Sequence, residues 1–459
     1  MNCRHFSCFA IRTLALFIAV LALISYASAS WKGEVLYSFQ GGNDGYTPVN
    51  GVVFDKAGNL YGVNSWGGDS SCSSQGCGTV FELSPPDHKG AWRETVIYAF
   101  EGVNTGAGDG YTPAGSVIID QQGNLYGTTS MGGTGPCILL GSAAGCGIVY
   151  ELSPPKQKGG AWRYSILYNF QGGNDGYFPI GDLVFDSQGN LYGATWFGGG
   201  KGTTCNLYYG GNCGSVFKLS PPKKKGGVWE ETILHRFAGG TDGANPNGEL
   251  ILDSEGTIYG TTVAGGYAKG ICDPGGCGMA FELRPPTTKN GGWKAKALYR
   301  FQGQDGASPM AGVVFGGAGR LYGTLSAGAN DANGAVFALV APAGGDMPWK
   351  ATILYRFKDK SDGTSPRDPI VFDASGNLYG TALGGGTHRG TVFRLQPPKR
   401  GESWSLTVLY TFFGSPGGDH PTAGLIFDTR GNLYSTTQGG GTGQLCQGGC
   451  GTVFEVSPK

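Results

Sequence analysis

A five-residue motif, GNLYG at 58–62, returns as GNLYG at 123–127 and 189–193, GTIYG at 256–260, GRLYG at 319–323, GNLYG at 376–380 and GNLYS at 431–435. Its tyrosines, at 61, 126, 192, 259, 322, 379 and 434, are spaced 65, 66, 67, 63, 57 and 55 residues apart. Self-similarity at such a period marks a repeat architecture, in which each unit buries its apolar face only by packing on its neighbours. Every copy holds four short apolar runs bounded by turn residues, the pattern of strands. In the first copy they are VVFD at 52–55, NLYGV at 59–63, TVFEL at 79–83 and VIYAF at 96–100, termed strands A to D. No helical periodicity separates them. The expected fold is all-β, a seven-bladed β-propeller with four antiparallel strands per blade, with a linear β-solenoid as the alternative. The phase of the chain ends favours the ring. Residues 31–39 read as a D strand and 452–456 as a C strand. The last blade is therefore expected to borrow its D strand from the N-terminus, which hides two sheet edges.

Composition agrees with many turns. Glycine makes up 87 of 459 residues without a collagen-like triplet, and aromatics stand at 12%, too many for a disordered polymer. The glycine surplus is assigned to the turns between about 28 short strands. The 33 basic and 33 acidic residues cancel, which argues against a nucleic-acid partner, since such binding draws on excess positive charge. A tryptophan stands eight residues before the final phenylalanine of every D strand, at 31, 92, 162, 229, 293, 349 and 404. In a regular strand Trp31, Val35, Tyr37 and Phe39 would share one face.

At the N-terminus, Arg4 and Arg12 precede the apolar run LALFIAVLALI (14–24), followed by Ala27-Ser28-Ala29. This is the pattern of a cleaved signal peptide, residues 1–29, and the run is too short to span a bilayer. Residues 30–459 are then a single propeller domain, exported through the Sec pathway and secreted or held at the cell surface, with no membrane span after cleavage. Apart from Cys3 and Cys8 in that segment, ten cysteines lie in B–C loops as five local pairs: Cys72/Cys77, Cys137/Cys146, Cys205/Cys213, Cys272/Cys277 and Cys446/Cys450. An even count at one place in the repeat of an exported chain argues for five disulfides. Zinc is the weaker reading, because each loop offers two thiols where a structural site wants four ligands.

A D strand ending in Phe, then DGxxP, an A strand, GNLYG and GTVFEL together resemble the GloVer tandem repeat of choice-of-anchor exported bacterial proteins. The DG-and-Pro element stands at Asp44/Pro48, Asp109/Pro113, Asp175/Pro179, Asp242/Pro246, Asp305/Pro309 and Asp362/Pro366, with Asp419-His420-Pro421 as the departure. The resemblance implies export and brings no biochemical activity with it. Many such proteins end in an anchor, whereas this chain stops at Lys459 after its last strand, so release is expected.

The D–A and B–C loops share one face of a propeller. The seven D–A aspartates suggest a carboxylate ring for Ca²⁺, although Asp-Gly is ordinary turn chemistry and that reading is preferred. Positions where one blade departs from the rest are more informative. Tyr46, Tyr111 and Tyr177 occupy the D–A loops of blades 1 to 3. Trp66, Trp196, Phe197, Tyr208 and Tyr209 lie at B–C loops of blades 1 and 3. Such aromatics suit stacking on sugar rings or a protein hot spot. On the other side, His388, Arg389, Asp419 and His420 bring two imidazoles, a guanidinium and a carboxylate together at blades 6 and 7, as proton abstraction requires. Searches for HExxH, GxSxG, a phosphate loop and a dinucleotide fingerprint return nothing.

The favoured reading is an exported, non-catalytic binding or scaffold propeller that recognises an extracellular glycan or protein through the aromatic sector. The alternatives are an extracellular polysaccharide lyase or hydrolase at the His/Arg site, and a structural surface repeat without a specific ligand. No cofactor and no metal are expected, and the chain reads as a monomer.

Overall fold

Six of the seven blades start from one turn, blade 5 carrying Gly316 in place of its aspartate. Asp55 accepts hydrogen bonds from the N–H groups of Ala57 and Asn59 and from the Asn59 side-chain amide, at 2.8–2.9 Å, and Tyr61 donates its hydroxyl to the same carboxylate. The set recurs around Asp120, Asp186, Asp373 and Asp428, and around Asp253 with Thr257 in place of asparagine. The aspartate, the glycine three residues on and the motif tyrosine thus form one device that reverses the chain between strands A and B.

The computed structural model describes residues 30–459 except 69–74, 88–89, 103–107, 140–141, 158, 200–212, 225, 268, 270–271, 273–274, 290, 329–332, 343, 345–348, 359–360, 387–388 and 400–401. The protein is a seven-bladed β-propeller of four-stranded antiparallel blades. Blade 1 runs Tyr46–Phe54, Leu60–Trp66, Thr79–Ser84, Arg93–Ala99, and the same order repeats around the ring. In blade 7 the N-terminal strand Trp31–Ser38 pairs antiparallel with Thr452–Pro458, from Trp31 opposite Pro458 to Ser38 opposite Thr452. This is the closure expected from the phase of the repeat.

Strand D departs from regular alternation. Its pairing with strand C shifts at a bulge between Val35 and Tyr37, and again at the matching place in the other six blades. Two residues then oppose one. The extra residue, Leu36, turns into the core, while Tyr37 remains half-buried and reaches a loop carboxylate, so the four aromatic and apolar residues do not share one face.

Three contacts, each repeated seven times, join blade to blade. The last phenylalanine of one D strand packs edge-on against the ring in strand C of the next blade, as Phe39–Phe81 at 5.0 Å and Phe100–Tyr150 at 5.3 Å. Phe170–Phe217, Phe237–Phe281, Phe301–Phe337, Phe357–Phe393 and Phe412–Phe454 complete the circle. Edge-to-face pairs add about 0.5–1.5 kcal/mol beyond the area they bury. The residue before each DGxxP proline adopts positive φ and donates its N–H to a B–C loop carbonyl of the preceding blade, as Thr47 to Cys450 and Thr112 to Cys77. The proline itself lies against the glycine that opens strand C of that blade. A Cβ on Gly78 would stand 2.4 Å from Pro113 Cδ, and one on Gly451 2.3 Å from Pro48 Cδ.

Two D-strand carboxyls sit at these seams. Burial and the neighbouring charge of Asp44, to which it is also hydrogen-bonded, push Glu94 up to about 8, and burial with the charge of Asp175 pushes Glu231 up to about 7. Both folded-state values lie above the unfolded value, so the native state holds the extra protons. The stability they contribute is full below about pH 4.5 and is lost as pH rises through 7 and 8. The Glu94→Gln/Glu231→Gln variant is expected to lose this part of the slope and to exceed wild type at pH 8.5 by about 1–2 kcal/mol, after discounting for partial exposure. Urea melts between pH 5 and pH 9 check it; parallel curves for the two proteins would refute the assignment.

Candidate functional site

The D–A aspartates are loop caps. Asp44 accepts the Tyr37 hydroxyl at 2.9 Å and the Gln40 N–H at 2.5 Å. Tyr98, Tyr168, Tyr299 and Tyr355 likewise donate to Asp109, Asp175, Asp305 and Asp362, and His235 Nε2 lies 3.2 Å from both oxygens of Asp242. Among the described residues no three His, Cys, Asp or Glu side chains converge as a metal centre would require.

Asp419 breaks the pattern. Its carboxylate is 3% exposed. One oxygen accepts from Arg389 Nη1 and the other is in contact with His420 Nδ1. The backbone brings the three together. His420 holds the positive-φ position that donates its N–H to a carbonyl of the preceding blade, and in blade 7 that carbonyl belongs to Arg389, at 2.9 Å. The inter-blade staple that every blade carries thus delivers Arg389 to the Asp419-His420 pair. The imidazole and guanidinium remain about half exposed and line a cleft of about 510 Å³, with Tyr46, Gln75, Gln438 and Gln447 on its walls. His388 lies outside the described residues.

The aromatic set is distributed over three blade cores. Tyr46, Tyr111 and Tyr177 are half-buried and pack against separate hydrophobic clusters. Tyr46 pairs across the sheet with Trp66, and Tyr177 with Phe197, on which it stacks at 5.4 Å, with Trp196 edge-on to Phe197. No ring contact among the described residues links the blade 1 pair to the blade 3 group. Tyr208 and Tyr209 lie outside the described residues. Cys137–Cys146, Cys272–Cys277 and Cys446–Cys450 are disulfides. Cys77 and Cys213 are also disulfide-bonded, while Cys72 and Cys205 lie outside the described residues.

A second space was not anticipated from the sequence. All seven blades line a cavity of about 340 Å³ on the axis of the ring, and Gln438 borders both this cavity and the cleft. Asp182, Glu249 and Asp368 face it. Asp182 accepts the Ser116 N–H at 2.5 Å and Asp368 the Thr381 hydroxyl at 2.7 Å. Burial raises all three, Asp368 to about 7, and the charge of Asp182 adds to the rise at Glu249. A signal existed: three residues after the DGxxP proline the other blades carry Gly51, Ser116, Gly312, Pro369 and Gly424, and only blades 3 and 4 place an acid there.

The profile of the Gloeobacter/Verrucomicrobia repeat matches residues 137–344 and 273–459. The chain belongs to that repeat family. No curated protein matches it. Several solved structures are similar to the chain. A Thermus thermophilus protein described as a putative oxidoreductase (glucose dehydrogenase) is 16% identical, with TM-score 0.40, over 75% of this chain and 96% of its own. The PQQ-bound aldose sugar dehydrogenase of Streptomyces coelicolor is 14% identical at TM-score 0.40, covering 94% and 99%. The PQQ domain of Coprinopsis cinerea pyranose dehydrogenase, in its holo form, is 14% identical at TM-score 0.40, covering 93% and 95%. At these identities the likeness concerns the fold. The expectation of a non-catalytic binding or scaffold propeller is corrected by the placement of its aromatic residues. The aromatic sector that carried the binding reading is packed into separate blades. No helix among the described residues is long and apolar enough to cross a membrane.

Proposed function

We propose that the protein is an exported enzyme of the acid–base type, whose reaction centre is the cleft of Asp419, His420 and Arg389. The observation that carries this is the buried Asp419 carboxylate in contact with both His420 Nδ1 and Arg389. Asp419 Oδ1 accepts no hydrogen bond here and lies against His420 Nδ1, so a proton on Nδ1 would satisfy it and leave Nε2 to take or give a proton. Arg389, half exposed, carries further N–H donors that suit a carboxylate or phosphate group. Gln75, Gln438 and Gln447 offer amides for hydroxyls. The substrate class is a small anionic molecule bearing a hydroxyl, deprotonated by His420. Export is supported by the basic and apolar N-terminal pattern with its small-residue site, and by disulfides, which persist in oxidising compartments.

A panel of hydroxy acids, sugar acids and sugar phosphates, followed by product formation, tests the reading. His420→Ala and Asp419→Asn are each expected to lower kcat about a hundredfold or more, and Arg389→Ala to act mainly on KM. Turnover unaffected by His420→Ala, or a panel without a single substrate, overturns it.

A further inference from the structure

We infer that Gly33, in the strand that closes the ring, is a positioning residue for the cleft: having no side chain, it lets the Tyr410 ring lie over that strand and so leaves the Asp419 carboxylate to His420 and Arg389. The inference rests on the reading of the cleft as a reaction centre. In the six other D–A loops the aspartate is engaged twice. The N–H that follows the last phenylalanine of strand D, at Gln40, Glu101, Gln171, Ala238, Gln302 and Lys358, donates to it. A strand-D ring, tyrosine in five cases and His235 in the sixth, holds it from the other side. Among the described residues Asp419 has neither bond: its Oδ1 accepts no hydrogen bond, and its other oxygen accepts from Arg389.

The cause lies on the facing strand. Two residues after its tryptophan, strand D carries Glu94, Tyr164, Glu231, Ala295, Ala351 and Leu406 in blades 1 to 6 and Gly33 in blade 7. A Cβ on Gly33 would stand 2.5 Å from Tyr410 Cδ2 and 2.6 Å from Cζ, so the ring fills the place of the absent side chain. Glycine inside a strand costs stability and marks such a close approach. A methyl group is enough for the other arrangement. At the seam of blades 4 and 5 the equivalent pair is Ala351 and Tyr299, and Tyr299 donates to Asp305 at 2.5 Å. Leu406 likewise accompanies the bond from Tyr355 to Asp362 at 2.6 Å. Arg389 is a departure too, standing where five blades have the second cysteine of the B–C loop pair. Gly33, Arg389 and His420, all exceptions to the repeat, thus meet on one carboxylate. A phenol hydroxyl donated to Asp419 would compete with the imidazole for its charge.

Crystal structures of Gly33→Ala and Gly33→Ala/Tyr410→Phe, with kinetics of both and of Tyr410→Phe on a substrate found among the hydroxy acids, sugar acids and sugar phosphates, test the inference. Gly33→Ala is expected to bring the Tyr410 hydroxyl to about 2.7 Å from Asp419 and to lower kcat about tenfold at nearly constant KM. Tyr410→Phe alone should match wild type. The double variant should recover to within about threefold, because phenylalanine fills the same space without a hydroxyl. A seam that is merely loosened would impair both Gly33 variants alike, which overturns the inference. So would a Tyr410 that stays off Asp419 in the single variant, or a Gly33→Ala chain that fails to fold, since blades 4 and 5 accept alanine at the same place. If no compound is turned over, the cleft reading falls, and the position of Tyr410 in the Gly33→Ala structure still decides whether Gly33 frees Asp419.

Discussion

Deletion of residues 30–39 is expected to abolish the cooperative melt of the ring. The segment supplies the whole fourth strand of blade 7, paired from Trp31 to Ser38. It also supplies Phe39, which is fully buried and packs on Phe81 of blade 1. The chain ends are tied further by hydrogen bonds from Phe39 to Gly451 and from Lys459 to Ser30. Removing one buried phenylalanine costs about 3–5 kcal/mol and a buried leucine about 2–5. With the ladder also gone, the loss reaches the whole stability of a typical domain, about 5–15 kcal/mol. The edge of Thr452–Pro458 and the ring of Phe81 would then both face water. Circular dichroism and dye binding should report residual strand content without a sharp transition, and a peptide of residues 30–40 should restore part of it. A truncated chain that melts like the full one would show that the blades do not depend on closure.

Gly78→Ala is the point substitution with the largest expected cost, about 4 kcal/mol or more. Its φ is +100°, which an alanine adopts at about 1–2 kcal/mol, and its Cβ would press on Pro113 of the next blade and on the Asn64 carbonyl oxygen at 2.8 Å. Pro113 cannot yield, because Thr112 before it is fixed by its bond to the Cys77 carbonyl. Gly58→Ala is the control. Its φ is +88°, yet nothing lies within 4 Å of the added carbon, so only the backbone term of about 1–2 kcal/mol remains. Urea denaturation of both variants separates the seam from the turn. Equal losses would show that the glycine–proline contact does not hold the seam.

The ring, its blade count and its closure were legible because the repeat states them seven times, in the tyrosine spacing and in the phase of the chain ends. The bulge in strand D was not legible. Nothing in VLYSF marks Leu36 as an added residue, since a bulge is set by pairing with strand C rather than by local composition. Glycine was read as turn chemistry, and at Gly62 that is incomplete: a Cβ there would lie 2.5 Å from the Phe81 ring, so the residue makes room for the aromatic contact between blades.

The site was partly legible. Arg389, Asp419 and His420 were found as departures from the repeat, and the structure brings them together. The aromatic departures were equally visible, but hydropathy cannot distinguish a ring that faces solvent from one that lies beneath its own loop. Asp182 and Glu249 sit inside the A strand and Asp368 just before it, where single acids among small residues look like tolerated variation, so they escaped notice. Only the ring geometry brings residues of blades 3, 4 and 6 to one axis.

The closing strand has a consequence for how the protein is made. Trp31–Ser38 is synthesised ahead of all seven blades and finds its partner, Thr452–Pro458, only when the last blade is complete. Throughout elongation Leu36 and Phe39 travel with an unpaired backbone edge, and the contact that completes the molecule has the longest sequence separation available. A second copy offers the same edge, so closure in one chain competes with strand exchange between chains, and the outcome follows concentration.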